Sequence, residues 1–416
     1  MMQNENTNPI TKRIVVKARM ELAVPALIGS GEGENTDSDI MRAADGRAFL
    51  PGTSIAGALR DLFDAENERD LLFGSLESGR MSPLWVLDSD FYAVRGGQKA
   101  DAEIIEIDGV ALNDADRFNK TAKPQAKYDS EAVDAGALFD LRLMLVVREN
   151  DAAESLIELF DELVLALLHG EVRVGAKRNR GFGRTVCKGV CGRVFSKEDS
   201  TLIECLDFDW NNTELPVYTP EKEEKAKDTD DGRYAVMEKP LRLNGSVMIR
   251  DFKNLRGKEQ YAHMSANGKP AIFGTSWAGA FKSCLLKWLP EKKDLIDEMF
   301  GCQYKDDGGK TVTKPSKLMF DASILEAEDK NVEGYRQVVR VKIDRFTGGA
   351  SDGALFTSRP WFGGTTRLRI RYPAGRDDFE KLLDFAIDAL DKGMLTIGGE
   401  TAIGRGVFEL AEVQNG

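Results

Sequence analysis

Hydrophobic residues along this chain fall into two rhythms, and the order in which the rhythms follow one another occurs twice. Residues 14–22 (IVVKARMEL) read as a strand, and the Gly-rich stretch 28–39 (IGSGEGENTDSD) as the loop after it. The segment GRAFLPG then leads directly into a helix. There Ile55, Ala58, Leu59 and Leu62 share one face, and Thr53 or Ser54 is placed to cap the N-terminus. Residues 83–91 and 138–148 alternate as strands do, and residues 151–169 form an amphipathic helix with Leu156, Leu159, Phe160, Leu163 and Leu167 on one side. The second half repeats the series: strand 240–250, helix 275–289, strands 317–323 and 365–372 (TRLRIRYP), helix 377–392, then a glycine loop. Strand-helix-strand-strand-helix-strand predicts an α+β fold of ferredoxin-like, RRM-like type, an antiparallel sheet with helices on one face.

Three short motifs recur in the same order at nearly constant spacing. PGTSIAGALR (51–60) returns as FGTSWAGAFK (273–282), Asp-Arg-Phe at 116–118 returns at 344–346, and VGAKRNRGFGR (174–184) returns as IGGETAIGRG (397–406). Repetition on this scale marks a tandem duplication of a whole domain. The predicted boundaries are domain one at 1–195, a linker at 196–235 and domain two at 236–416. The linker has no apolar period, and its stretch TPEKEEKAKDTDDG is charged and free of aromatics.

Composition narrows the classes. With 416 residues, 42% hydrophobic and 30% charged, the chain is long enough for two or three cores and ordinary for a soluble protein. No apolar run is long enough for a membrane span, and MMQNENTNPITKR has no apolar segment of a secretory signal. Five cysteines, an odd number, fit reduced thiols in a cytoplasm; Cys187 and Cys191 lack a second Cys/His pair and read as ordinary small residues, not as a zinc site. The net charge of −12 opposes coating of nucleic acid by bulk charge and leaves room for a local basic groove.

Such a groove has a candidate in GAKRNRGFGR. Lys177, Arg178, Arg180 and Arg184 interleave with glycines, which let backbone approach a phosphate while the cations supply charge-assisted hydrogen bonds. The ending of a Walker loop is missing, and a strand follows, so a mononucleotide site does not fit. A purely steric turn is the competing reading. The second candidate is a pair of long polar insertions, 104–136 and 339–363, between strands that would otherwise form a tight hairpin. Their Arg117–Phe118 and Arg345–Phe346 tips suit wedging beside stacked bases. Ser54 and Arg60, with Ser276 and Lys282 in the second copy, lie on the helices after the GTS turns, where phosphate contacts are natural; Arg60 is equally well a solvated helix residue.

Together these motifs resemble the RAMP superfamily of CRISPR–Cas systems, and within it the backbone subunits of type III effector complexes. KIDRFTGGASDGALF (342–356) is the most specific match, and the tandem arrangement is similar to fused, type III-D-like backbone subunits. The resemblance implies guide RNA held by the palm and its glycine loop, and a thumb hairpin that flips a nucleotide out of the guide–target duplex. It also implies other RAMP and large subunits as partners, and an aspartate after the first strand that supports metal-dependent cleavage of target RNA. By position that aspartate is Asp37, with Asp39 as a substitute, and Asp37 would hold the divalent cation, Mg²⁺ or Mn²⁺. The second copy departs from the pattern. Glu259 falls where Asp37 would be, Asp251 is a geometric alternative, and the terminal loop keeps only Arg405 of its basic residues.

Three functions follow: a target-cleaving backbone subunit, a non-catalytic RNA-binding scaffold of the same complex, and a guide-processing endonuclease. The last asks for a histidine base. Only His169, at a helix end, and His263, in the loop of the second copy, exist.

Overall fold

A computed structural model describes residues 8–31, 36–63, 65–77, 79–112, 122–211, 214–220, 234–251, 260–305, 311–327 and 334–411. The chain divides into two compact units, one of residues 1–105, 131–176 and 183–229, the other of residues 106–130, 177–182 and 230–416.

The first copy runs β1 (Ile10–Leu22), α1 (Gly52–Arg60), α2 (Glu66–Phe73), β2 (Leu84–Val86), β3 (Tyr92–Arg95), β4 (Gln98–Asp101), β5 (Ile104–Leu112), β6 (Ala122–Val133), β7 (Leu138–Arg148), α3 (Ala153–Leu168) and β8 (Thr185–Ser196). The sheet order is β8-β1-β7-β3-β4, with β2 also paired to β7, while β5 and β6 pair with each other as a hairpin. Alternation along β1 sends Ile14, Val16, Ala18, Met20 and Leu22 to one face. There they meet Leu141, Leu143 and Leu145 of β7, Ile55 and Leu59 of α1, and Leu156, Phe160, Leu163 and Leu167 of α3. Each such side chain contributes about 1.5–3 kcal/mol by leaving water, which is why the periodic segments become these elements.

The opposite sheet face is closed by residues expected in the linker. Leu202, Phe208, Trp210 and Leu215 pack with Cys205 on Val15, Met144 and Phe195, and the Tyr218 hydroxyl donates to Asp161 at 2.9 Å. Residues 196–220 therefore fold onto the first unit; their apolar residues plug a sheet face at irregular intervals, so no period betrays them. The charged stretch 221–233 lies outside the described residues.

The second copy runs β9 (Tyr234–Asn244), β10 (Arg250–Asp251), β11 (Tyr261–His263), α4 (Gly274–Trp288), α5 (Lys293–Phe300), β12 (Met319–Phe320), β13 (Val338–Ile343), β14 (Ala350–Arg359), β15 (Thr365–Pro373), α6 (Asp377–Asp391) and β16 (Val407–Leu410). Its main sheet is ordered β12-β15-β9-β16. In both copies the first strand thus lies between the last and the third, with the second strand beyond the third, the ferredoxin-like arrangement. Trp277, Phe281 and Leu285 of α4 and Phe379, Leu383 and Ile387 of α6 bury against Leu241, Leu243, Leu368 and Ile370. Residues 177–182 belong to this second unit, where the Asn179 side chain donates to the Ser316 carbonyl at 3.0 Å and Phe182 stacks on Phe273.

The first GTS helix begins one residue before the capping residues expected, and the second at Gly274, one residue before its predicted start. Gly52 is the first residue of α1, after Pro51, and its N–H donates to Asp88 Oδ1 at 2.6 Å. Asp88 supplies the cap from a distant loop, and Thr53 and Ser54 sit in the first turn. No helix among the described residues is long and apolar enough to cross a membrane.

Candidate nucleic-acid interface

The loop after β1 is stitched on two sides. Ala26 N–H donates to Val133 at the foot of β6, and Glu131 N–H donates to the Ser38 carbonyl at 3.0 Å. On the other side Ala176 N–H donates to the Leu27 carbonyl at 2.7 Å, attaching the stem of the glycine loop. Glu131 completes the seam: its carboxylate accepts from Ile40 N–H at 3.1 Å and from Arg42 at 3.0 and 3.1 Å. Asp39 is half-buried and occupied, since its Oδ1 accepts from the Thr36 N–H at 3.1 Å and the Thr36 hydroxyl at 2.7 Å. Asp37, at the crest of that turn, is exposed. A turn held by Asp39 that presents Asp37 outward gives the two aspartates different jobs, and Asp37 keeps the role of candidate site residue.

The two glycine loops share one backbone. Lys177 and Glu400 both adopt left-handed φ (55° and 58°), a 3-10 turn follows (Arg178–Arg180 and Thr401–Ile403), and Gly181 and Gly404 return left-handed at 88° and 82°. Gly183 and Gly406 (φ 71° and 75°) are required on two counts: a Cβ would also strike the carbonyl of Val174 or Ile397. What differs is charge. In the first copy Lys177 and Arg178 are half-buried and Arg180 exposed; burial, then the charge of Arg180, lowers the Lys177 pKa. Arg184 is half-buried at the loop's exit, where its carbonyl accepts from Ala23 N–H at 2.9 Å.

In the second copy Glu400 takes the place of Lys177 and faces inward. It accepts from the Tyr261 hydroxyl at 2.8 Å and from Arg340 at 2.6 Å, and pairs with Arg405 Nε at 2.8 Å and Arg250 at 3.6 Å. Burial pushes its carboxyl up, but Arg340, Tyr261 and Arg405 outweigh that and hold it below the usual range. Arg405 also donates to the Ser246 hydroxyl at 2.8 Å and is 6% exposed, so its cation is spent inside the fold and is not presented to RNA.

The β13–β14 hairpin carries the second Asp-Arg-Phe. Asp344 Oδ1 accepts from Phe346 N–H (2.9 Å), Thr347 N–H (2.8 Å) and the Thr347 hydroxyl (3.0 Å), and these bonds, led by the Thr347 N–H, lower its pKa. The aspartate thus builds the tip, and Arg345 and Phe346 are displayed; Phe346 is 100% exposed. Val339, Val341, Ile343 and Leu355 are exposed on the hairpin's strands. Arg117 and Phe118 lie outside the described residues, as does Glu259.

Several other candidates are placed by the fold. Arg60 pairs with Asp70 at 3.4 Å, while Lys282, 8% exposed, donates to the Gly301 carbonyl at 2.7 Å and pairs with Asp297 at 2.8 Å. Both tie the GTS helix to the short helix after it, and Lys282 is withdrawn from solvent altogether. Ser54 is exposed and Ser276 half-buried in the first turns of their helices. Asp251, the geometric alternative in the second copy, is buried within β10, whereas Asp37 is exposed. His263 is also buried; its Nδ1 accepts from Ile249 N–H at 3.0 Å, and burial lowers its pKa to about 3. His169 ends α3 as its C-cap residue, 4.0 Å from Glu171. All five cysteines are free thiols.

Among the described residues no group of three His, Cys, Asp or Glu side chains converges, and Asp39 Oδ1 accepts from Thr36. A cation at Asp37 would need most of its ligands from elsewhere.

Glu131 and the Glu400 cluster were not visible in the sequence as site residues. Glu131 carries no motif. The signal for Glu400 was an acid standing where the first copy has a lysine. The family model of the RAMP superfamily matches residues 19–186 and 256–409, and the chain belongs to that superfamily. No curated protein matches the chain. Membership makes it a CRISPR-associated RNA-binding type of subunit, of a class that works in complexes with RNA and other subunits.

Proposed function

We propose that the chain is a guide-RNA-binding backbone subunit of a type III CRISPR effector complex and that its first copy cleaves complementary target RNA at Asp37. One observation carries this reading. The turn presenting Asp37 is hydrogen-bonded through the Ser38 carbonyl to Glu131 at the foot of the hairpin, and the start of the same loop, at Leu27, accepts from Ala176 at the stem of the basic glycine loop. Asp37 thus stands exposed on a loop that is anchored at Glu131 and Ala176, the points from which the hairpin and the glycine loop leave their own unit. The chemistry asks little of the protein. An unstacked nucleotide can align its 2′-hydroxyl with its own phosphorus; the carboxylate accepts the hydroxyl proton as the oxygen attacks, and the 5′-oxygen leaves with a proton from water, giving a 2′,3′-cyclic phosphate and a 5′-hydroxyl. A divalent cation, Mg²⁺ or Mn²⁺, would arrive with the RNA oxygens as its main ligands. His263 offers little to the guide-processing alternative, because its ring is buried and its Nδ1 already accepts the Ile249 N–H.

The test is target-RNA cleavage by the assembled complex, wild type against Asp37→Ala, in Mg²⁺ and in EDTA. A product lost in the variant with guide and target binding unchanged supports cleavage at Asp37. Survival of every product makes the chain a scaffold, the second reading.

A further inference from the structure

The inverted charge of the second glycine loop has a geometric consequence. Around the Glu400 carboxylate, 6% exposed, converge one phenol hydroxyl and three guanidinium groups, from β10, β11, β13 and the glycine loop itself. Planar guanidinium donors gathered on one anion are what a phosphate ordinarily recruits, and the loop backbone that brings Glu400 there is the one that carries Lys177 in the first copy. We propose that Glu400 is an internal stand-in for a phosphate: it fills an anion site made by Arg250, Tyr261, Arg340 and Arg405 and so withholds the second glycine loop from the RNA backbone. The arrangement divides labour within the duplication. On the proposed reading the first loop's cations meet a polyanion, whereas the second loop's Arg405, with Arg250 and Arg340 from neighbouring strands, is spent on Glu400. Arg340 lies on β13, so the same carboxylate ties the foot of the hairpin to the glycine loop.

The inference rests on the RNA-binding reading for its meaning, but the anion site is testable without RNA. The full-length chain is melted in inorganic phosphate and in sodium chloride of equal ionic strength, as wild type, Glu400→Ala and Glu400→Gln. Wild type sets the baseline for phosphate bound elsewhere, the first glycine loop included. Glu400→Ala should melt lower in chloride and recover by at least about 3 °C in phosphate, a ligand-linked gain. Glu400→Gln keeps the volume filled, so it should be destabilised and not rescued. An alanine variant that folds only in phosphate counts the same way. An alanine variant that phosphate helps no more than wild type, or that stays unfolded in both salts, overturns the proposal and leaves Glu400 a buried strut. In a second arm, single-stranded RNA should bind Glu400→Ala several-fold more tightly, with a steeper salt dependence by roughly 0.7 in log–log slope. Rescue by phosphate with unchanged RNA affinity would uphold the anion site and refute RNA binding at that loop.

Discussion

A buried histidine makes a protein sensitive to acid, and His263 is 2% exposed with its Nδ1 already accepting the Ile249 N–H. Burial lowers its folded pKa to about 3, while an unfolded chain returns it to about 6.5. Above pH 6.5 neither state is protonated and the group is silent. As pH falls from 6.5 towards 3, only the unfolded state takes up the proton, so stability is lost across that window. At pH 4.5 the loss is about 2–3 kcal/mol. His263→Asn keeps an acceptor without the titration. Urea unfolding at pH 7 and pH 4.5 should show a drop smaller by that amount in the variant; equal drops would put the acid sensitivity elsewhere. The same burial keeps the ring of a histidine that sequence offers as a general base away from solvent.

Elements built on glycine divide into those that need it and those that do not. Gly183 and Gly406 hold left-handed φ and lie against carbonyl oxygens, whereas Gly57, exposed inside α1, has open space where a Cβ would go. Alanine at Gly183 or Gly406 should therefore cost at least about 2 kcal/mol, from strain and collision together. Alanine at Gly57 should stabilise by about 0.5–1 kcal/mol, since helix backbone no longer has to be taken from a freer chain. Denaturant midpoints of the three variants check both signs. This contrast also shows what sequence could supply. Core-facing strands and helices were legible because burial imposes a period, as Leu156, Phe160 and Leu163 illustrate. The loop motifs were legible because the duplication repeats them. Side-chain destinations were not. Nothing local says that Lys282 turns inward to Gly301 and Asp297, or that Asp88, 36 residues from Gly52, caps α1. Nor does a period announce Phe208 and Trp210, which serve a sheet face already folded before them.

At the scale of the whole molecule, function has to arise against a net charge of −12. A polyanion approaching such a chain gains nothing from bulk charge, so RNA affinity must come from a few local cations, and its salt dependence should be correspondingly shallow. The proposed reading puts those cations on the first glycine loop. Lys282 and Arg405 are spent inside the structure and Arg60 is paired on the surface, while Lys177, Arg178 and Arg180 ride together on a left-handed and 3-10 backbone. Replacing these three by alanine should flatten the log–log salt slope of single-stranded RNA binding by about 2, near 0.7 for each phosphate that is no longer neutralised. Lys282→Ala, by contrast, should lower thermal stability and leave the slope where it was. Fluorescence anisotropy of labelled RNA over a salt series measures both. If the triple variant keeps the wild-type slope, the first glycine loop is a steric turn and the RNA backbone runs elsewhere. If the slope falls while Lys282→Ala does not change it, the duplication has kept its hold on RNA in the first loop, and the position matching Lys177 in the second, Glu400, serves the fold instead.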